Sequence, residues 1–264
     1  MKKILLSVVM PIYNREGFLP KVIESYQNQS FSDFEMILVD DKSTDNSFQI
    51  CQNFSKIDNR IKCFQLKKNS GVAVARDFGN KKASGEIIVI ADSDDFAYEN
   101  RLKIINSHFI ANPDSDIFYT NLDIHYLNSG EKKTRFFQPY VKELLYNINY
   151  IPNASSSYKR KCYFEVAGYD PKQKIGEDYD LWLQFSDKNF KFGFDKRSTV
   201  LVTMHSKSIR GQSQDVHQSY IERVWKKHGS TGANLEIVKK LAKKKTYEFF
   251  SQPAKLELWF KISA

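Results

Sequence analysis

The sequence predicts an α/β fold: a mainly parallel sheet with flanking helices, followed by a C-terminal helical extension. Three observations predict it. Strand and helix signals alternate from Leu5 to Asp95 over short connections. The apolar, β-branched runs at Leu5, Phe34 and Ile87 stop at polar or acidic clusters. After Val216 the composition turns basic and helical. Alternating strands and helices imply parallel βαβ units with right-handed crossovers. A chain of 264 residues, 41% hydrophobic and 14% aromatic, can build one substantial domain plus an appendage.

Leu5 to Pro11 reads as the first strand. Phe18 to Gln29 reads as a helix, with Leu19, Val22, Ile23 and Tyr26 at helical spacing. Phe34 to Asp40 is the second strand. Asp45 to Lys56 carries Phe48, Cys51 and Phe54 on one helical face, with Ser43, Thr44 or Asp45 available as a cap. Arg60 to Leu66 is the third strand. Gly71 to Ser84 is a helix whose Val72, Ala75, Gly79 and Ala83 suit close packing on a sheet. Ile87 to Ala91 is the fourth strand. Beyond Asp95 the pattern predicts a helix over Asn100 to Ala111, a short strand at Ile117 to Thr120, and a hairpin turn at Asn128-Ser129-Gly130. It then predicts a strand at Ser155 to Tyr158, a short helix at Lys161 to Ala167 ended by Gly168, and a helix opening at Gly176-Glu177-Asp178. Late strands are expected at Phe190 to Phe194 and Thr199 to Met204.

In open sheets of this type, ligands bind beyond the carboxyl ends of the strands. That rule brings Pro11-Ile12-Tyr13-Asn14, Asp40-Asp41 and Asp92-Ser93-Asp94-Asp95 to one crevice. Three carboxylates at a strand end must be solvated, paired or bound to a cation, because burying unpaired charge is too costly. Hard oxygen ligands suit Mg²⁺ or Mn²⁺, above all when a phosphate completes the shell. An exposed acidic turn is the plainer alternative.

No stretch reaches the roughly 20 apolar residues needed to span a bilayer. The start, Met1-Lys2-Lys3 followed by Ile4 to Met10, resembles a signal peptide, yet no small-x-small cleavage site follows, and a first core strand is the expectation. Cys51, Cys63 and Cys162 are odd in number and widely spaced, which argues against a disulfide framework or zinc site and fits a reducing, cytoplasmic compartment. There is no Gly-x-Gly-x-x-Gly and no Gly-Lys-Ser/Thr loop, which disfavours dinucleotide oxidoreductases and P-loop enzymes. Residues Val216 to Ala264 contribute +6 of the formal +9. A nucleic-acid partner would rest on charge alone, and none is expected.

Within the crevice, Asp41 can serve as a turn residue or accept a hydrogen bond from a base or ribose. Arg76 is either a solvated helix charge or a fork of donors for a nucleotide or phosphate. Glu177, Asp178 and Asp180 can be structural, since carboxylates favour a helix N-terminus. Trp182 reads as core.

Ser7 to Asn14, Gln29 to Glu35, Val39 to Asp45, Asn69 to Asp77 and Asp92 to Asp95, in this order and spacing, resemble the blocks of family 2 glycosyltransferases, from about Ser7 to Gly211. The resemblance implies a GT-A fold, with a nucleotide-binding half at 1–95, an acceptor half at 96–215 and the tail at 216–264. It implies that Pro11 and Tyr13 line the nucleoside pocket, that Asp41 contacts the base, usually uracil, and that Arg76 approaches the nucleotide. Asp92 and Asp94 form the Asp-x-Asp pair for ribose and a divalent cation, Mn²⁺ or Mg²⁺; Asp95 can share that role, and His205 can reach the diphosphate or metal. Glu177-Asp178 matches the family's acidic pair, with Asp178 the expected base and Glu177 in reserve. Asp77 departs from the family, which often carries Asn there.

The implied reaction is inverting transfer from a nucleoside-diphosphate sugar, UDP-linked by expectation, to a hydroxyl of a glycan or lipid-linked acceptor in surface polysaccharide or lipooligosaccharide synthesis. A nucleotidyltransferase would want a Gly- and Arg-rich loop after strand one, where Pro11-Ile12-Tyr13-Asn14 stands. A non-catalytic nucleotide-sugar scaffold of the same fold is the remaining alternative. The basic tail, with Tyr247 to Phe250 and Leu256 to Phe260, is read either as a packing extension or as a peripheral contact with the anionic inner face of the cell membrane.

Overall fold

The computed structural model describes residues 5–205, 214–230, 232 and 234–241. In chain order the elements are β1 (Leu6–Ile12), α1 (Leu19–Gln27), β2 (Phe34–Asp40), α2 (Ser47–Ile57), β3 (Ile61–Gln65), α3 (Val72–Lys82), β4 (Ile87–Ile90), β5 (Phe96–Ala97) and α4 (Arg101–Ala111). Then follow β6 (Ile117–Tyr126), β7 (Lys132–Arg135), α5 (Lys142–Leu145), β8 (Ser157–Lys159), α6 (Arg160–Phe164), α7 (Glu177–Asp187), β9 (Phe192–Met204), α8 (Gln214–Lys227) and α9 (Leu235–Leu241).

The strands form one sheet in the order β3-β2-β1-β4-β8-β6-β9-β5, with β7 pairing to β6. β3, β2, β1 and β4 are parallel neighbours, as the alternating pattern requires. β8 runs antiparallel between β4 and β6 and joins the two halves into a continuous sheet.

Side chains of β1 alternate between the two faces of the sheet. Leu6, Val8, Met10 and Ile12 pack on one layer with α1 and α4, and Val9 packs on the other with α3 and α7. Because both faces are covered, all seven β1 residues are buried. A Cβ added to Gly79 would strike Val9 Cγ1, so the small-residue face of α3 permits the close approach to β1 that its sequence predicts. At the opposite end of the strands from the acidic motifs, Glu35 ties β2 to Ser7, Ser84 and Lys62. Burial raises its carboxyl, and those four bonds overcome it and hold the group at about 2.

The second half departs from expectation in length and continuity. The short strand expected at Ile117 to Thr120 continues to Tyr126, because β9 pairs along it in parallel. The two late strands expected at Phe190 to Phe194 and Thr199 to Met204 are one strand, β9. Its register shifts where Thr120 faces Asp195 and Asn121 faces Ser198. Lys196 and Arg197 form the excess, and Arg197 folds back on Asp195 at 2.7 Å. A bulge of this kind breaks the sequence periodicity without ending the strand. The turn after Leu127 does close a β6–β7 hairpin. Trp182 is fully buried in the core.

Val216 falls inside α8. Ile221, Val224 and Val238 are buried in the same core as α7. His228 bonds Asp180 and Asp187, and Lys227 pairs with Asp180 at 2.8 Å. The described part of the tail therefore packs on α7 and the core around it. The aromatic stretches at 247–250 and 256–260, on which the membrane reading rests, lie outside the described residues. Among the described residues no helix is long and apolar enough to cross a membrane.

Candidate active site

The strand-end motifs meet through backbone bonds that their own polar residues make. Asn14 and Lys42 follow β1 and β2 with φ of 51° and 61°, a left-handed conformation that Asn tolerates better than Lys. Asn14 Oδ1 accepts the Thr44 N–H at 2.8 Å, and the Asn14 N–H donates to Ser43 Oγ at 3.0 Å. The two strand ends are thereby locked side by side. Asp41 accepts the N–H groups of Ser70 and Gly71, each at 2.7 Å, and so fixes the entry to α3. Gly71 takes φ of 92° there, a conformation open to glycine. Burial raises the Asp41 carboxyl, these two N–H groups pull it back, and neighbouring Asp40 adds to the rise. Pro11 is buried and Tyr13 is 42% exposed.

The Asp92–Asp95 run divides among three partners. Asp92 Oδ1 accepts Arg76 Nη2 at 2.6 Å. Asp94 Oδ2 lies 3.0 Å from Arg15 Nε and 3.1 Å from His205 Nε2, and the His205 ring stacks on Phe18 at 4.7 Å. Asp95 Oδ1 accepts the Thr203 N–H at 2.9 Å and pins the end of β9 to the motif. This pin carries His205, two residues on, back to Asp94.

The second acidic pair arrives from the other half. Gly176 (φ 72°) opens α7. A Cβ there would lie 2.9 Å from Ile221 Cδ1 of α8. Glu177 Oε1 accepts Arg76 Nη1, so one guanidinium, 5% exposed, spans Asp92 and Glu177. Burial opposes the charge on Arg76, yet Asp92 and Glu177 together hold its pKa above the ordinary value. Burial raises the Glu177 carboxyl, Arg76 opposes that, and Asp178 adds to it. Asp178 is only part-buried; its Oδ1 accepts the Tyr179 N–H at 2.7 Å, and Asn149 Nδ2 lies 3.4 Å from both of its oxygens. Asp77 accepts Tyr163 Oη at 2.8 Å and pairs with Lys81. Its charge is thus engaged at the α3–α6 contact.

Asp92, Arg76 and Glu177 are directly bonded, Asp94 and Asp178 stand within two residues of them, and His205 contacts Asp94. Pro11, Tyr13 and Asp41 lie on the neighbouring strand ends. Sequence reasoning missed Arg15, Asn149 and Arg101. Arg101 is 1% exposed and bonds the carbonyls of Ile90 and Ala154 and the Tyr26 hydroxyl, which steadies β4 just before the acidic run. Arg15 stands directly after a motif already singled out. Asn149 is a polar residue in an otherwise apolar run, Ile148 to Ile151.

Residues 7–166 match the model of glycosyl transferase family 2. The chain belongs to that family. The minor teichoic acid biosynthesis protein GgaB of Bacillus subtilis is 33% identical over 206 residues, covering 73% of this chain and 22% of GgaB. The chain matches less than half the length of the first curated relatives, 42% and 40%. Among solved structures, Staphylococcus aureus TarS 1-349 in complex with UDP superposes with a TM-score of 0.66 at 20% identity, covering 94% of this chain and 72% of TarS 1-349. The mannosyltransferase PcManGT from Pyrobaculum calidifontis, in complex with GDP-Man and Mn²⁺, gives 0.68 at 14% identity, covering 99% and 74%. These likenesses confirm the GT-A fold for this family 2 chain.

Proposed function

We propose that this family 2 chain transfers a sugar with inversion from a nucleoside-diphosphate sugar, UDP-linked, to a hydroxyl of a glycan or lipid-linked acceptor. The setting is cytoplasmic synthesis of surface polysaccharide or lipooligosaccharide. The observation that carries the proposal is the Arg76 bridge. It draws the strand-end acids of the nucleotide half against the helix start of the acceptor half, which is where donor and acceptor must meet. The UDP bound in TarS and the place of GgaB in minor teichoic acid biosynthesis support the donor and the pathway class.

The residues also fit a divalent cation. Among the described residues no cluster of three or more His, Cys, Asp or Glu side chains forms a metal cage. Catalytic Mg²⁺ and Mn²⁺ sites commonly use one or two protein ligands plus substrate phosphates. Asp94 Oδ2 and His205 Nε2, converging at 3.1 Å, are an oxygen and a nitrogen donor suited to Mn²⁺, the ion bound in PcManGT. They would hold it, with Arg15 giving up its bond to the same Asp94 oxygen, while Asp92 pairs with Arg76 and Asp95 pins β9. When bound, such a cation supplies positive charge for the departing diphosphate.

The chain's own groups do the rest. Pro11, Tyr13 and Asp41 border the nucleoside. Asp178, part-exposed at the start of α7, takes the proton of the acceptor hydroxyl as that oxygen attacks the anomeric carbon. Displacement from the face opposite the leaving group inverts that centre. Glu177 is less suited to this task, because its carboxylate is tied to Arg76. The test is a panel of nucleotide sugars assayed for nucleoside-diphosphate release with and without Mn²⁺. Metal-dependent release from one UDP-sugar supports the proposal, and release from no nucleotide sugar in any metal contradicts it.

A further inference from the structure

We infer that Asn149 is a positioning residue that orients and keeps ionised the carboxylate of Asp178. The inference rests on the reading of Asp178 as the base. Asn149 Nδ2 stands 3.4 Å from Asp178 Oδ1 and 3.4 Å from Oδ2, a symmetric approach of one amide to both oxygens. Catalytic hydrogen bonds are often long before substrate binds and tighten in the reacting complex. The amide faces the carboxylate through its N–H₂ although its own Oδ1 is buried without a hydrogen-bond partner. Turned the other way, that oxygen would confront the carboxylate and repel it. A buried acceptor left unsatisfied is unfavourable, and the contact with Asp178 is what this orientation serves.

The segment that carries Asn149 is rigid on both sides. Ile148, Tyr150 and Ile151 are buried, and Asn149 alone among 147–151 is part-exposed. The Ile148 N–H closes onto Leu144 O at 2.9 Å. Tyr150 Oη accepts the Val141 N–H at 2.6 Å. Asn147 Nδ2 donates to Glu143 O at 2.6 Å, and Asn147 Oδ1 accepts the Asn234 N–H, at the start of α9, at 3.0 Å. The described tail thereby buttresses the loop that holds the base. On the helix side the Tyr179 N–H holds Asp178 Oδ1 at 2.7 Å. The carboxylate is gripped between a backbone donor of α7 and a side-chain donor from a braced loop, as a general base requires of its orienting partners.

Arg76 of α3 and Glu177 of α7 both feel the charge of Asp178, and Asp92 and Tyr169 adjoin that pair. Arg76, a cation, attracts the charge of Asp178, and Glu177, an acid, repels it. An amide donor, which prefers the ionised form of a carboxylate, adds to the side of Arg76.

The experiment measures kcat, donor KM and the pH–kcat profile of Asn149→Ala and Asn149→Asp in the full chain. Asn149→Asp keeps the shape of the side chain, so it guards against a folding defect. The expected results are a fall in kcat of about tenfold at neutral pH, an unchanged KM for the nucleotide sugar, and an acid limb displaced to higher pH. The displacement should be larger for Asn149→Asp, which adds a second carboxylate beside the base. Wild-type kcat with an unmoved acid limb in both variants would overturn the inference. Should Asp178→Asn retain turnover, the base assignment itself falls; Asp178→Asn inactive with silent Asn149 variants removes only the role of Asn149.

Discussion

Asp92 and Glu177, from opposite halves of the chain, share the guanidinium of Arg76. That single buried cation makes the two acidic motifs one site. Replacing Arg76 with Met should leave buried Glu177 and half-buried Asp92 unpaired and destabilise the fold by about 3–5 kcal/mol. Adding Glu177→Gln to that variant should recover part of the loss. Urea unfolding of both singles and the double, read as a double-mutant cycle, checks the coupling.

Metal removal should silence the enzyme. EDTA is expected to stop nucleotide-sugar turnover and Mn²⁺ to restore it. Asp94→Ala should lower metal-supported turnover by about hundredfold, the scale for losing a group that stabilises transition-state charge. Steady-state rates across a Mn²⁺ titration measure this. Full turnover in EDTA would count against the Asp94–His205 site.

The α7–α8 anchor has a pH window. Burial lowers the pKa of His228, but its bonds to Asp180 and Asp187 overcome this and raise it. A raised histidine contributes fully below its unfolded value of about 6.5, and the contribution disappears as pH rises through the folded value. Asp180 is also buried, yet His228 and Lys227 hold it below the usual carboxylate range. Its contribution is present above about pH 4 and is lost as pH falls through its lowered pKa. His228→Gln should therefore lower Tm most between about pH 4 and 6.5, by a few degrees. The difference from wild type should shrink at alkaline pH, as calorimetry across that range can show.

Gly79→Ala should cost about 1–3 kcal/mol, because the new methyl meets Val9 in a packed core. A thermal-unfolding comparison reads this directly. An unchanged Tm would mean that α3 can retreat from β1.

The parallel half was legible because each strand is a short apolar run and each connection carries its own polar punctuation. Local periodicity decides such units. β9 was not legible as one strand, since Lys196 and Arg197 interrupt the alternation and only β6, far away in the chain, holds the two parts together. The acids of the site were legible as types and positions along strand ends and a helix start. The partners of those acids were not. Arg15 reaches Asp94, and Asn149 reaches Asp178, only through tertiary placement. The three roles within Asp92–Asp95 were equally hidden, because a run of like residues gives no sign of which carboxylate faces which neighbour.

The most direct measurement is Asp178→Asn, assayed for both transfer and nucleotide-sugar binding. The variant is predicted to bind the donor as wild type does while turnover falls by about 10²–10⁴-fold, the span a general base supplies. Turnover near the wild-type rate would contradict the assignment of proton removal to the first turn of α7.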